Sequence, residues 1–288
     1  MSKRLLASAI IGSAAAALGY GWYQNNVIEI SHRRVFADIE APLKMLCLSD
    51  LHGKQFGARN RHLIKKASEL CPDLIVFPGD TISSDCKNLG ATVSTLKKLC
   101  GIAPCFLIPG NHEHRSGEWS RISALLGEAG VTVLQNDIWS GEINEVKVNI
   151  LGLDEGIARS RFDYISAALG TLSYPKNDEL FYRLDSLKGA KIVLSHFPEC
   201  FSKGEYCRHR FDLMVSGHAH GGHMRFNNRL SLFAAGQGFF PKFCQGLYGS
   251  GPKLLVCRGL GNDSPLPRIN NRPEMALITL SPKRKHLF

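Results

Sequence analysis

The absences in this 288-residue chain narrow the field first. None of the nine cysteines (Cys47, Cys71, Cys86, Cys100, Cys105, Cys200, Cys207, Cys244 and Cys257) stands in a Cys-x-x-Cys pair, and their number is odd. Neither a thiolate metal ribbon nor a complete disulfide framework is therefore indicated. Cys47, Cys105 and Cys257 lie in apolar, strand-like runs, where a thiol packs as a small hydrophobe, and a reducing compartment fits the set. There is no internal repeat and no sign of a second domain, so 44% hydrophobic residues are available for one substantial core. Acidic residues are the scarcer charge, 25 against 35 Lys and Arg, which leaves a formal charge of +10. Part of the excess lies between Ser31 and Lys66, where Arg33, Arg34, Lys44, Lys54, Arg59, Arg61, Lys65 and Lys66 face only Asp38, Glu40 and Asp50. Such a balance favours an acidic partner, a phosphate-bearing lipid or nucleotide among them.

Charge is also missing from Leu5 to Ile28, a run of mostly Leu, Ile, Ala and Gly behind Lys3 and Arg4. About 20 apolar residues span a bilayer, so residues 1–28 read as an N-terminal membrane anchor of marginal hydrophobicity. A cleaved secretory signal, with Ala14 to Ala17 as its processing region, is the alternative. Trp22 and Tyr23 suit an interface, and Arg33 and Arg34 suit anionic headgroups. The cysteines favour a cytoplasm-facing catalytic region and Lys3 with Arg4 an extracytoplasmic one. Residues 29–42 read as a connector with an edge strand at Val27 to Ile30, and 43–288 as the catalytic domain.

Within that domain, Leu63, Ile64, Ala67, Leu70 and Cys71 recur at helical spacing between two apolar runs, giving a strand-helix-strand unit whose strands must be parallel. Val93, Leu96, Leu99 and Cys100 form a second helical face, and Trp119, Ile122, Leu125, Leu126 and Ala129 a third. From Val131 the periodicity becomes strand-like, through Val131–Leu134 and Glu145–Leu151, and a second, mixed sheet is expected to begin there. Phe162–Leu169 and Phe181–Leu187 read as helical. Strands are expected at Ile192–Leu194, Leu213–Val215, Lys253–Cys257 and Met275–Leu280, with long loops from Phe226 to Pro273. The fold class is α/β.

Five polar clusters each follow directly on a strand-like run: Ser49-Asp50-Leu51-His52, Gly79-Asp80, Gly110-Asn111-His112-Glu113, Ser195-His196 and Gly217-His218-Ala219-His220. Strand ends aimed at one edge make a site. Any one of these histidines alone is more often a core or surface imidazole than a ligand, and the five clusters in this order reverse that expectation.

Asp-x-His, Gly-Asp, Gly-Asn-His-Glu, a lone His and Gly-His-x-His in this order resemble the calcineurin-like metallophosphoesterases. The tail resembles the membrane-associated branch containing bacterial phosphodiesterases and UDP-2,3-diacylglucosamine pyrophosphatases. The resemblance implies a four-layer α-β-β-α sandwich with two mixed sheets and two divalent metal ions. It places Asp50, His52, Asp80 and His220 on one ion, and Asp80, Asn111, His196 and His218 on the other. Carboxylate, imidazole and amide ligands suit Mn²⁺, Fe²⁺ or Zn²⁺ better than Ca²⁺, with Mn²⁺ expected first. His112 is then the general acid.

Two departures from the family pattern stand out. Ser83 occupies the place of a second carboxylate that would orient the acid imidazole, with Asp85 two residues on, and His223 follows Gly-Gly where the branch commonly has Gln. His114, Arg115, His223 and Lys242 are candidate phosphate contacts, with Phe239, Phe240, Pro241 and Phe243 around Lys242 suited to an acyl chain. Arg268 and Arg272 have no expected role beyond phosphate contact. The implied activity is hydrolysis of a phosphodiester or pyrophosphate in a membrane-proximal, amphipathic substrate, UDP-2,3-diacylglucosamine first, giving lipid X and UMP. The alternatives are a broad-specificity phosphodiesterase of nucleotide or envelope phosphates and a non-catalytic, membrane-docking metal scaffold. A nucleic acid read by sequence is not an expected partner.

Overall fold

Period-2 alternation decides how the strands are buried. In the computed structural model, which describes residues 3–157, 166, 172–227, 230–262 and 266–283, strands β2 (Leu43–Cys47), β3 (Leu74–Pro78) and β4 (Cys105–Ile108) are apolar on both faces. Met45, Val76, Phe106 and Ile108 enter a core shared with Val148, Ile150, Ile192, Leu194 and Val215 of another sheet. The intervening Leu46, Ile75, Phe77 and Leu107 enter a second core with Leu63, Leu96, Leu99, Ile122 and Leu126. Those residues lie on helices α2 (Arg61–Glu69), α3 (Leu89–Cys100) and α5 (Trp119–Glu128), which separate the parallel strands. A third core lies outside the second sheet, where Leu151, Val193, Met214 and Leu254 meet Phe181 and Leu184 of α6 (Asp178–Asp185) and Phe201 of α7 (Cys200–Lys203). Helix, sheet, sheet, helix is the expected four-layer arrangement.

The first sheet has the order β1-β14-β2-β3-β4-β5 and the second β12-β13-β9-β8-β7-β6. Here β1 is Glu29–Ala37, β5 Val131–Val133, β6 Asp137–Ile143, β7 Val146–Gly152, β8 Ala190–Leu194, β9 Leu213–Ser216, β12 Gly246–Tyr248, β13 Lys253–Val256 and β14 Glu274–Pro282. β14 runs antiparallel to β2 and parallel to β1, so the first sheet is mixed.

Three expectations are corrected. The connector holds a nine-residue strand, because Ser31, Val35 and Ala37 turn inward while His32, Arg34 and Phe36 face outward. Val131–Val133 closes the first sheet, parallel to β4, because α5 carries the chain back across that sheet before the second begins at β6. The N-terminal segment is a single 24-residue helix, α1 (Lys3–Asn26). Among the described residues, however, no helix is long and apolar enough to cross a membrane. Its Ala and Gly contribute little transfer energy, and it ends in Gln24-Asn25-Asn26. The helix expected at Phe162–Leu169 lies outside the described residues apart from Ser166.

Candidate active site

The C-terminal ends of β2, β3, β4, β8 and β9 deliver the five polar clusters to one edge of the sandwich, and the backbone is strained where it turns. Asp50, His52, Asp80, His218 and His220 have φ of 48°, 49°, 51°, 66° and 47°. A non-glycine residue held there stores about 1–3 kcal/mol, which persists only if the surroundings enforce it. Two glycines show how closely the turns approach. A Cβ on Gly110 would strike Asp80 Oδ1, and one on Gly217 would strike Ser49 Oγ and Asp50 Oδ2.

Three overlapping sets of buried ligand atoms result, each within 4.8 Å of one another: Asp50 with His52 and His220, His52 with Asp80 and His112, and Asp80 with His196 and His218. Asp80 Oδ2 lies 3.2 Å from His196 Nε2 and 3.9 Å from His52 Nε2, so it stands between the first and third sets. Asn111 Oδ1 lies 3.1 Å from His196 Nε2, joining the third set. All seven side chains expected to hold metal therefore converge.

The electrostatics fit a pair of cations. Burial, reinforced by His112 and His196 and only partly opposed by Asp80, pushes His52 down to about 3. Burial also holds His218 and His220 well below the ordinary histidine range. Yet His52 Nε2 and His220 Nε2 approach to 3.2 Å. One neutral ring can donate its Nε2–H to the other, and with both lone pairs turned inward the same pair is placed to ligate a cation. His196 is the opposite case. Burial alone would depress it, but Asp80 and Asp50 outweigh burial and push it up to about 10. Its Nδ1 lies 2.8 Å from the Pro78 carbonyl, which fixes the N–H there and aims Nε2 at the cluster. Asp50 goes up to about 6, through burial and the neighbouring Asp80 against the pull of His196. Asp80 and Asp50 thus favour positive charge at this position, the sign that bound ions would supply.

His112 opens the short helix α4 (Asn111–Arg115), and its N–H donates to Asp80 Oδ1 at 2.8 Å. Its ring packs edge-on against His52 at 4.6 Å between centroids. The carboxylate that Ser83 replaces has no substitute in Asp85, which is exposed and paired with Lys87 at 2.7 Å. Ser83 Oγ donates instead to the His52 carbonyl, and the Ser84 N–H reaches His112 Nδ1 at 3.3 Å. A backbone N–H can only donate, so Nδ1 accepts and the ring proton sits on Nε2.

The other candidate contacts are dispersed. His114 Nε2 pairs with Asp154 Oδ1 at 2.8 Å. Arg115, half-buried, donates to the Asn111 carbonyl at 3.3 Å. His223 is buried and stacked on His220 at 5.4 Å. Lys242 is exposed, with its ammonium 5.0 Å from the Phe243 ring centre. Phosphate contact is corrected for Arg268 and Arg272. Arg268 is wholly buried, and its guanidinium donates to the carbonyls of Arg258, Gly259, Gly261 and Asn271. Arg272 is held by Tyr23 and Glu29.

Three buried carboxyls were not assigned from sequence. Glu113 accepts the N–H of Asp80 (2.9 Å), Ile82 (3.0 Å) and Gly110 (2.8 Å), clamping two ligand loops together. Its position three residues after the turn glycine, where a Glu reaches back to a helix start, was the available signal. Glu155 accepts from Ser195 Oγ, and Glu199 is buried beside Gln237 and near Lys203. Burial pushes both up to about 7. No local spacing marks these two, because their neighbours come from distant segments.

A model of the calcineurin-like phosphoesterases matches residues 43–222. The phosphodiesterase YaeI of Escherichia coli is 28% identical over 295 residues, covering 97% of this chain and 99% of its own. An uncharacterized metallophosphoesterase of Aquifex aeolicus is 28% identical over 246 residues, covering 84% of this chain and 86% of its own. A transmembrane protein with metallophosphoesterase domain from Danio rerio is 26% identical, covering 83% of this chain and 53% of its own.

Proposed function

Since the chain belongs to the calcineurin-like phosphoesterase family and is a metal-dependent phosphoesterase, we propose that it hydrolyses a phosphodiester or pyrophosphate bond in an amphipathic substrate at a membrane surface. The observation that carries the chemistry is the sharing of Asp80 and His52 among three buried ligand sets, with His112 in one of them. In this reading Asp50, His52, Asp80 and His220 hold one ion, and Asp80, Asn111, His196 and His218 the other, with Mn²⁺ the first candidate.

Two divalent ions held there supply charge neutralisation at phosphorus and a water acidic enough to attack near neutral pH. The chain's own residues do the rest. Asp80 sets the spacing of the two sites, and Glu113 fixes the loops carrying Asp80 and Asn111. His112 presents its Nε2–H to the leaving oxygen. Arg115, His114, His223 and Lys242 remain the proposed phosphate contacts, with His114 oriented by Asp154.

Exposed apolar side chains support the membrane-surface location. Phe226, Phe239 and Phe240 are 64%, 70% and 60% exposed, and Trp22 on α1 is 64% exposed. Backbone bonds link Arg225 to Ile269 and Ile269 to His223, so this rim adjoins the turn carrying His220. Aromatic side chains beside an excess of Lys and Arg suit anionic lipid. The zebrafish relative's name, a transmembrane protein, points the same way. The cysteines favour a cytoplasm-facing surface.

Within the substrate class, the YaeI name favours a phosphodiester. The absent carboxylate at Ser83 favours a better leaving group, as in the UDP-linked pyrophosphate of UDP-2,3-diacylglucosamine, which would give lipid X and UMP. Incubating the purified chain with lipid and nucleotide phosphates, with Mn²⁺ or with chelator, and identifying products by mass tests the reading. Metal-dependent release of a phosphomonoester from a lipid-linked diester or pyrophosphate is expected. Turnover confined to soluble nucleotides would reject the membrane-surface substrate.

A further inference from the structure

The last turn of α1 is bound into the active site. Gln24 is buried, and its Oε1 accepts the Asn271 N–H at 2.9 Å. The Asn271 side chain in turn donates to the carbonyls of His220 (2.7 Å) and His223 (3.1 Å). Asn25 Oδ1 accepts the Arg268 N–H at 3.2 Å. The buried Arg268 guanidinium lies 3.4 Å from His220 Nδ1 and ties down the carbonyls of residues 258, 259 and 261. That segment holds the backbone beside Asp50, through Leu260 N–H to the Ser49 carbonyl (2.9 Å) and Gly261 N–H to the Asp50 carbonyl (2.6 Å). From the remaining loop Lys54, two residues past His52, donates to the Asn25 carbonyl.

Asp50, His52 and His220 therefore all hang on the end of α1 at one or two removes. Of the other set, His196 rests on the Pro78 carbonyl and the Asp80 and Asn111 loops on Glu113, while His218 shares the His220 turn and donates its N–H to Asp50 Oδ1 at 2.9 Å. We infer that Gln24 and Asn25 are positioning residues chiefly for one ion site, the one formed by Asp50, His52 and His220, and that the other site, held mainly through Pro78 and Glu113, depends on them less. The inference rests on the two-ion reading above. It assigns the end of the helix a role distinct from anchoring, since residues Ile10, Ile11 and Leu18 earlier in α1 are exposed and make none of these contacts.

The test is calorimetric titration of the metal-free full chain with Mn²⁺, in wild type, Gln24→Leu, Gln24→Glu and Asn25→Ala. Partners one step behind a ligand change metal affinity by about 10–100-fold when removed. Gln24→Leu, which removes the acceptor for Asn271 and so acts one step further out, is expected to weaken one of two ions by several-fold to about tenfold. That ion should be the one weakened in His220→Ala, with the other weakened less. Gln24→Glu, which retains an acceptor oxygen, should restore the affinity. Asn25→Ala, which removes the acceptor for Arg268, should weaken the same ion and decides the matter if Gln24→Leu does not fold. Equal weakening of both ions, or of neither, overturns the inference while leaving the two-ion reading intact. A wild-type chain that binds no pair of ions overturns both.

Discussion

Replacing His112 by alanine should harm two kinds of substrate unequally. In an alkyl phosphodiester the leaving oxygen becomes an alkoxide, whose conjugate acid is about as weak as water. In a UDP-linked pyrophosphate it leaves on a phosphate whose second ionisation lies near about 6. The need for a proton is correspondingly smaller. General-acid assistance is typically worth about 10²–10⁴-fold. The structure places His112 near the lower limit, because the Ser84 N–H at 3.3 Å, rather than a carboxylate, orients its ring at Nδ1. The expected losses in kcat/KM for His112→Ala are thus about 10²-fold for the alkyl diester and under about tenfold for the pyrophosphate. Steady-state kinetics on both substrates, with metal content measured in each preparation, makes the comparison. Equal losses with both ions bound would refute the leaving-group argument and leave His112 as a phosphate-binding group. A converse variant, Ser83→Asp, should raise alkyl diester turnover if its carboxylate reaches Nδ1, and no change would count against the orienting role assigned to this position.

Asp80→Ala should abolish tight binding of both ions, because Asp80 stands between the two sets, whereas His220→Ala should weaken mainly one; metal analysis after desalting distinguishes them. Glu113→Ala strands three backbone N–H groups at about 1–3 kcal/mol each. A loss of at least about 3 kcal/mol in urea unfolding is therefore expected, and a smaller one for Glu113→Gln. Burial raises Glu199 from its ordinary 4.5 to about 7, so the folded chain retains a proton that the unfolded chain releases across that interval. Stability of the metal-free protein should therefore fall as pH rises from about 4.5 to 7, by about 3 kcal/mol from this residue. Glu199→Gln should remove that slope, gaining stability at pH 8 with little change at pH 4.5, and an unaltered pH profile of Tm would show that the burial is relieved.

The candidate ligand residues were legible in the chain because each sits at the end of a strand. A short apolar run followed by Gly, Asp, Asn or His is a local pattern, and five such patterns in family order survive without knowledge of any contact. Both helical spacing and strand alternation are likewise local, so the layers could be anticipated. Which sheet takes Val131–Val133 was not, since a short strand carries no label for its partner, and only the return of α5 across the first sheet settled it. What orients His112 depended on a backbone N–H, which every residue but proline possesses and no sequence advertises. The roles of Gln24, Arg268 and Asn271 required the tertiary structure above all. A polar residue near a helix end and an Arg in a glycine-rich tail look like solvated surface until folding brings them together across more than 240 positions. Their burial then forces every donor to find a partner, and the partners available are the loops that carry the site.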